Sequence, residues 1–165
     1  MNLQFYLEKL HNSDIFKKFI KENPNAFLCS GFFVIDLENK QSANQKSFDF
    51  FVPASKKMFS FKLEDEINLI ELENFSEMEP LSDNCDFNFE EIENIIKERV
   101  IQKEIKNKVQ RILLSLQCKA GENFLLGTVF ISGLGMIKVN VSLSEMKITD
   151  FEKKSFFDMI NVLRK

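Results

Sequence analysis

Period-two alternation of apolar and polar side chains recurs along this chain, and it narrows what the chain can fold into more than any other feature. Ile137, Val139, Val141 and Leu143 alternate with Lys138, Asn140 and Ser142. Successive side chains of a strand point to opposite faces, so such a segment is a half-buried strand. The same pattern places Phe48, Phe50 and Val52 against Asp49, Phe51 and Pro53, and Phe59, Phe61 and Leu63 against Met58, Ser60 and Lys62. It returns with Ile112, Leu114 and Leu116 among Arg111, Ser115 and Gln117. Two denser runs, Ala26 to Leu37 and Phe124 to Ile131, are rich in aromatic and β-branched residues and read as further strands. The turns Ala54-Ser55, Ala120-Gly121-Glu122-Asn123 and Gly133-Leu134-Gly135 are short enough to make neighbours antiparallel. Pro53 lacks a ladder donor and should end its strand or lie on an edge. Ile67 to Phe75 is a candidate fourth strand of the first half.

Helical periodicity occupies the remainder. Leu3, Tyr6, Leu7 and Leu10 share one face, and Phe16, Phe19 and Ile20 another, with Asn12 or Ser13 available to cap a fresh helix between them and Asn23-Pro24 to stop it, so the stretch reads as one kinked helix or two short ones. Asn88 with Glu91 forms a capping box, Phe87 is positioned to staple onto Ile92, and Ile92, Ile95, Ile96 and Val100 carry the apolar face of a helix expected to run to about Asn107. Thr149 with Glu152 suggests a closing helix bearing Phe156, Phe157, Ile160 and Leu163.

The two halves share an element order, so the expected class is α+β: two α-β-β-β units with antiparallel sheet or sheets packed against helices, plus a C-terminal helix. Residues 1–165 are read as one compact domain with an internal duplication: 1–75 the first unit, 76–86 an acidic connector containing Pro80, and 87–165 the second unit with the closing helix. There are 19 Phe, one Tyr (Tyr6) and no Trp. Phe has no polar tip, so these rings suit a dry core.

The second half resembles the PepSY-like small domains. The resemblance runs through Phe89-Glu90-Glu91-Ile92, then Val109 to Gln117, then Phe124-Leu125-Leu126-Gly127-Thr128-Val129 and Met136 to Val141. It implies a helix paired with a three-stranded antiparallel sheet, in an inhibitory or protein-binding role without catalytic residues. The chain departs from that family after the last strand, having Ser144-Glu145-Met146-Lys147 in place of an acidic-then-Gly turn. Size, acidity and element order are also similar to the type III secretion chaperones, which implies a dimeric cytoplasmic chaperone.

Catalytic and metal motifs are sparse. His11 is the single histidine, and no H-x-x-H, H-E-x-x-H or C-x-x-C spacing occurs. Cys29 and His11 are the one pair from which a thiol hydrolase is conceivable, but a thiol in an apolar strand has a raised pKa and little access. Gly133-Leu134-Gly135 lacks a following helix to cradle phosphate. Asp86-Phe87-Asn88-Phe89-Glu90 starts like a calcium loop, but Glu91 replaces the required Gly and Lys97 the closing Glu. The expectation is no enzyme, no cofactor and no metal. Cys29, Cys85 and Cys118 form no close pair, no run reaches the length of a membrane span, and the start lacks the order of a signal peptide. The expected location is the cytoplasm.

Charge is the most informative remaining feature. Glu64 to Glu98 holds 13 acidic residues and one lysine, while the net charge of the whole chain is −3. A solvated connector accounts for much of this. A docking surface for a protein or a basic peptide segment is the functional alternative, with Glu71, Glu73, Glu77, Glu79 and Asp83 as its electrostatic contacts. Nucleic acid is disfavoured by the negative balance, no membrane is expected, and the chain is expected to be a monomer or homodimer. The function this supports is a non-catalytic protein- or peptide-binding module.

Overall fold

Residues 1–39, 44–83 and 85–155 are described by the computed structural model. Two short helices, α1 (Leu3–His11) and α2 (Asp14–Glu22), precede four strands: β1 (Phe27–Asp36), β2 (Lys46–Val52), β3 (Lys57–Leu63) and β4 (Ile67–Leu72). A longer helix, α3 (Phe89–Gln102), precedes four more: β5 (Val109–Lys119), β6 (Glu122–Ile131), β7 (Gly135–Ser142) and β8 (Lys147–Ser155). All eight strands form one sheet in the order β4-β3-β2-β1-β5-β6-β7-β8. Every pairing is antiparallel, including β1 with β5 at the centre, where Phe33 opposes Leu114 and Ile35 opposes Ile112.

This corrects the expectation of two α-β-β-β units. Each half contributes four strands, the first half has two helices, and the fold is dominated by one continuous sheet. The fourth strand of the second half, β8, occupies the place where Thr149 and Glu152 suggested a helix cap. The reason is a bulge: Asn140 opposes Asp150 and Val141 opposes Ile148, so Thr149 is an extra residue. It moves Ile148 and Phe151 three positions apart while both lie on the same side of the sheet, a spacing that imitates a helix. Phe156, Phe157, Ile160 and Leu163 lie outside the described residues.

One sheet face carries the helices. Phe16 and Phe19 of α2 pack edge-on or tilted against Phe50, Phe59 and Phe61, with ring centroids 5.1–6.1 Å apart. Phe87 and Phe89, at the start of α3, reach Phe33. Ile92, Ile96 and Val100 of α3 join Ile112, Leu114, Leu125, Val129, Ile137 and Val139 in the same core. The Phe-rich composition is therefore used largely as dry, ring-on-ring packing.

Helix ends follow their local chemistry. Asn2, Ser13 and Asn88 each accept backbone N–H bonds from the first turn of α1, α2 and α3. α3 stops at Gln102, five residues short of the expected Asn107. The N–H of Ile105 bonds Val100 O and that of Glu104 bonds Ile101 O, a Schellman closure with Glu104 at φ 57°.

Candidate functional site

The opposite face of the sheet carries none of the three helices. Strand alternation assigns it Phe32 and Val34 of β1, Arg111, Leu113 and Ser115 of β5, Phe124, Leu126, Thr128 and Phe130 of β6, and Met136 and Lys138 of β7. In cross-strand rows, Phe32 opposes Ser115 and Ser115 opposes Leu126, while Val34 opposes Leu113 and Leu113 opposes Thr128. Adjacent strands lie about 4.8 Å apart, so these side chains form one contiguous patch over β1, β5, β6 and β7. Phe32, Leu126 and Phe130 remain 38%, 42% and 37% exposed. Scattered exposed apolar residues are ordinary, but three large ones on β1 and β6, flanking β5, with half-buried Val34, Leu113 and Met136 beside them are a patch.

Polar groups border it. Arg111 Nη2 lies 3.0 Å from Asp36 Oδ2, and the Asp36 carboxylate also accepts the backbone N–H groups of Asn39 and Glu38 at 3.0 Å each. The bond from Asn39, followed by Arg111 and Glu38, holds the Asp36 carboxyl below its usual range. Beyond β7 the face becomes charged, with Lys138 opposite Glu152 and Asn140 opposite Asp150. The result is an apolar centre with a charged margin.

At the β2–β3 end the same face is closed. Phe75, beyond β4, packs on Phe51, which packs on Phe27. Cys29 is the extra residue of a bulge in β1, since Leu28 opposes Phe50 and Ser30 opposes Asp49. Its thiol is buried 3.3 Å from Met58 Sδ and donates toward Asp49 O at 3.4 Å. Burial, then the Asp49 charge, pushes the Cys29 thiol up to about 11. His11 packs on Phe16 in the helical layer, with ring centroids 4.8 Å apart. The sheet therefore lies between Cys29 and His11, and the geometry does not bring this nucleophile and base together.

The acidic candidates are dispersed. Glu71 lies on β4 opposite Phe59, with its carboxylate 3.1 Å from Lys57 Nζ, and Glu73 is exposed just past the strand. Glu77 is exposed in the connector, and Asp83 in a turn. Glu79 is tied to the β5–β6 turn, accepting the Gly121 N–H at 3.5 Å with Cys118 Sγ at 3.9 Å. The connector is pinned there: Leu81 N–H bonds Leu28 O, and Ser82 and Asn123 bond reciprocally. Glu71 and Glu79 thus sit on different parts of the sheet, not in one belt.

Asp86 accepts bonds from Asn2 Nδ2 and the Gln4 N–H, and Asn88 caps α3, so the segment resembling a calcium loop anchors the N-terminus. Gly133-Leu134-Gly135 connects β6 to β7, with Gly133 and Leu134 at positive φ, as a hairpin requires. Among the described residues no group of three or more His, Cys, Asp and Glu converges to hold a metal. No helix among them is long and apolar enough to cross a membrane.

Sequence reasoning missed this face, which no helix covers among the described residues. The signal was present: Phe124-Leu125-Leu126 and Phe32-Phe33-Val34-Ile35 are apolar at both parities, where a half-solvated strand should alternate.

No family model matches the chain. No curated protein matches it either. Among solved structures, the fold is similar to the crystal structure of a putative lipoprotein from Clostridium difficile 630, with a TM-score of 0.54 and 14% sequence identity, covering 86% of this chain and 91% of that one.

Proposed function

We propose that this chain is a non-catalytic protein-binding module that holds its partner on the uncovered face of the sheet. The observation that carries the reading is the apolar patch of Phe32, Val34, Leu113, Leu126, Phe130 and Met136, set on rigid central strands and bordered by charge. A surface built on paired strands is preorganised, so little ordering cost opposes binding. The occupant is a folded protein that presents an apolar knob to the β1, β5 and β6 centre and polar groups to the Arg111 and Lys138 margins. Cys29, Cys85 and Cys118 are free, which supports a reducing compartment. The similarity to the Clostridium difficile structure supports the fold alone at this identity.

The test is affinity isolation, quantified by mass spectrometry, comparing the unaltered chain with Leu126→Glu, Phe130→Glu and a control, Ile101→Glu. Ile101 is 74% exposed on α3, away from the patch. The reading predicts one stoichiometric partner lost by both face variants and kept by the control. A partner retained by both face variants contradicts it.

A further inference from the structure

The two edges of the sheet are built differently. β8 carries Lys147, Asp150, Glu152, Lys153 and Lys154 together with the Thr149 bulge, devices that discourage another strand from pairing. β4 has no bulge and a single charge. Its six residues, Ile67-Asn68-Leu69-Ile70-Glu71-Leu72, include no Pro, no Lys and one charge, and apolar side chains lie on both of its faces. β4 is the last strand in the sheet order, and the connector leaves it to pack Phe75 on Phe51 of β2, so its outer backbone edge is unpaired among the described residues. An open row of N–H and C=O groups between apolar side chains is a template for strand addition.

Charge selects the occupant. Glu64, Asp65 and Glu66 stand before β4, Glu71 is its last residue but one, and Glu73 and Glu77 follow it. Glu71 pairs with Lys57; the other five form no ion pair among the described residues. A second copy of this chain would bring acidic brackets against acidic brackets in either strand direction. An extended segment with basic flanks meets the opposite sign at both ends.

We propose that the outer edge of β4 takes up an extended, lysine- or arginine-flanked segment of a partner protein as a ninth strand. This deepens the binding-module reading by naming a second contact and its chemistry, and it uses a surface other than the Leu126 patch. The probe is a labelled nine-residue peptide of alternating valine and threonine with two lysines at each end. Its controls have glutamates at the ends, or N-methyl groups at alternate residues.

The lysine probe should slow amide exchange at Ile67–Leu72 and should weaken about tenfold between about 20 and 300 mM salt. The combined variant Glu64→Gln, Asp65→Asn and Glu66→Gln, all in an exposed hairpin loop, should weaken it about tenfold as well, and N-methylation should abolish it. Equal binding of the glutamate probe, or no binding of the lysine probe at millimolar concentration, overturns the proposal. Protection at Phe32–Val34 and Leu126–Phe130 in place of β4 also overturns it, while leaving the uncovered-face reading intact. A dimer joined through β4 would overturn the choice of occupant.

Discussion

Cys29 occupies the extra position of a β1 bulge, and that one residue sends a thiol to the face away from the helices. As a small buried hydrophobe it was legible from its apolar neighbours; its side of the sheet was not, because a bulge breaks the parity on which facing is read. With the thiol pushed up to about 11 and fully buried, iodoacetamide at pH 8 should leave Cys29 unmodified in the folded chain and label it rapidly in denaturant, as peptide mapping would show. Labelling at equal rates in both states would contradict its burial. The linked effect on stability has a definite sign. The folded pKa lies above the ordinary value of 9.0, so the contribution is complete below pH 9 and is lost as pH rises toward 11, where the unfolded chain ionises first. At Gly127 the constraint is space: a Cβ there would fall 2.5 Å from Val139 Cγ2, beneath the helices. Gly127→Val should therefore destabilise the chain by about 1–3 kcal/mol, measured by urea unfolding.

At the scale of elements, most strands and the caps of α2 and α3 were legible because alternation and capping are local, while Asn2 as the cap of α1 was not read. The failures were at α3's end and at β8. α3 was read five residues too long because its stop is made by Glu104 in a left-handed conformation, with no Gly to announce it. A side chain in that region costs about 1 kcal/mol, so Glu104→Gly should raise stability by about that amount, seen as a higher urea midpoint with an unchanged slope. No change, or a loss, would mean that Glu104 makes a compensating contact. β8 was read as a helix cap because its bulge at Thr149 hides the alternation. Its identity as a strand comes from pairing with β7 across the turn at Leu143–Met146, where Ser142 opposes Lys147.

For the whole molecule, the decisive contact is β1 with β5, a pairing between residues about eighty positions apart in the chain. It fuses two groups of four strands into one sheet, with the three helices of the described residues on one side. Element order points to two related halves and leaves one continuous sheet or two open, so the face that no helix covers among the described residues could not be placed, although its residues, apolar at both parities, stand in the sequence. The acidic candidates rest on the concentration of charge along the chain, and the fold spreads them between the β4 edge and the β5–β6 turn. If β1 and β5 bind the halves into one cooperative unit, thermal unfolding should show a single transition whose calorimetric and van't Hoff enthalpies agree. Two separate transitions would show the halves to be independent.

The most direct test of an uncovered face reserved for another protein is the solution mass of the chain alone, by size exclusion with light scattering at several concentrations and with Leu126→Glu alongside. The account predicts a monomer of about 19.3 kDa into the high micromolar range for both. A stable dimer that Leu126→Glu dissociates would place a second copy of the chain on that face and contradict the assignment of a different partner.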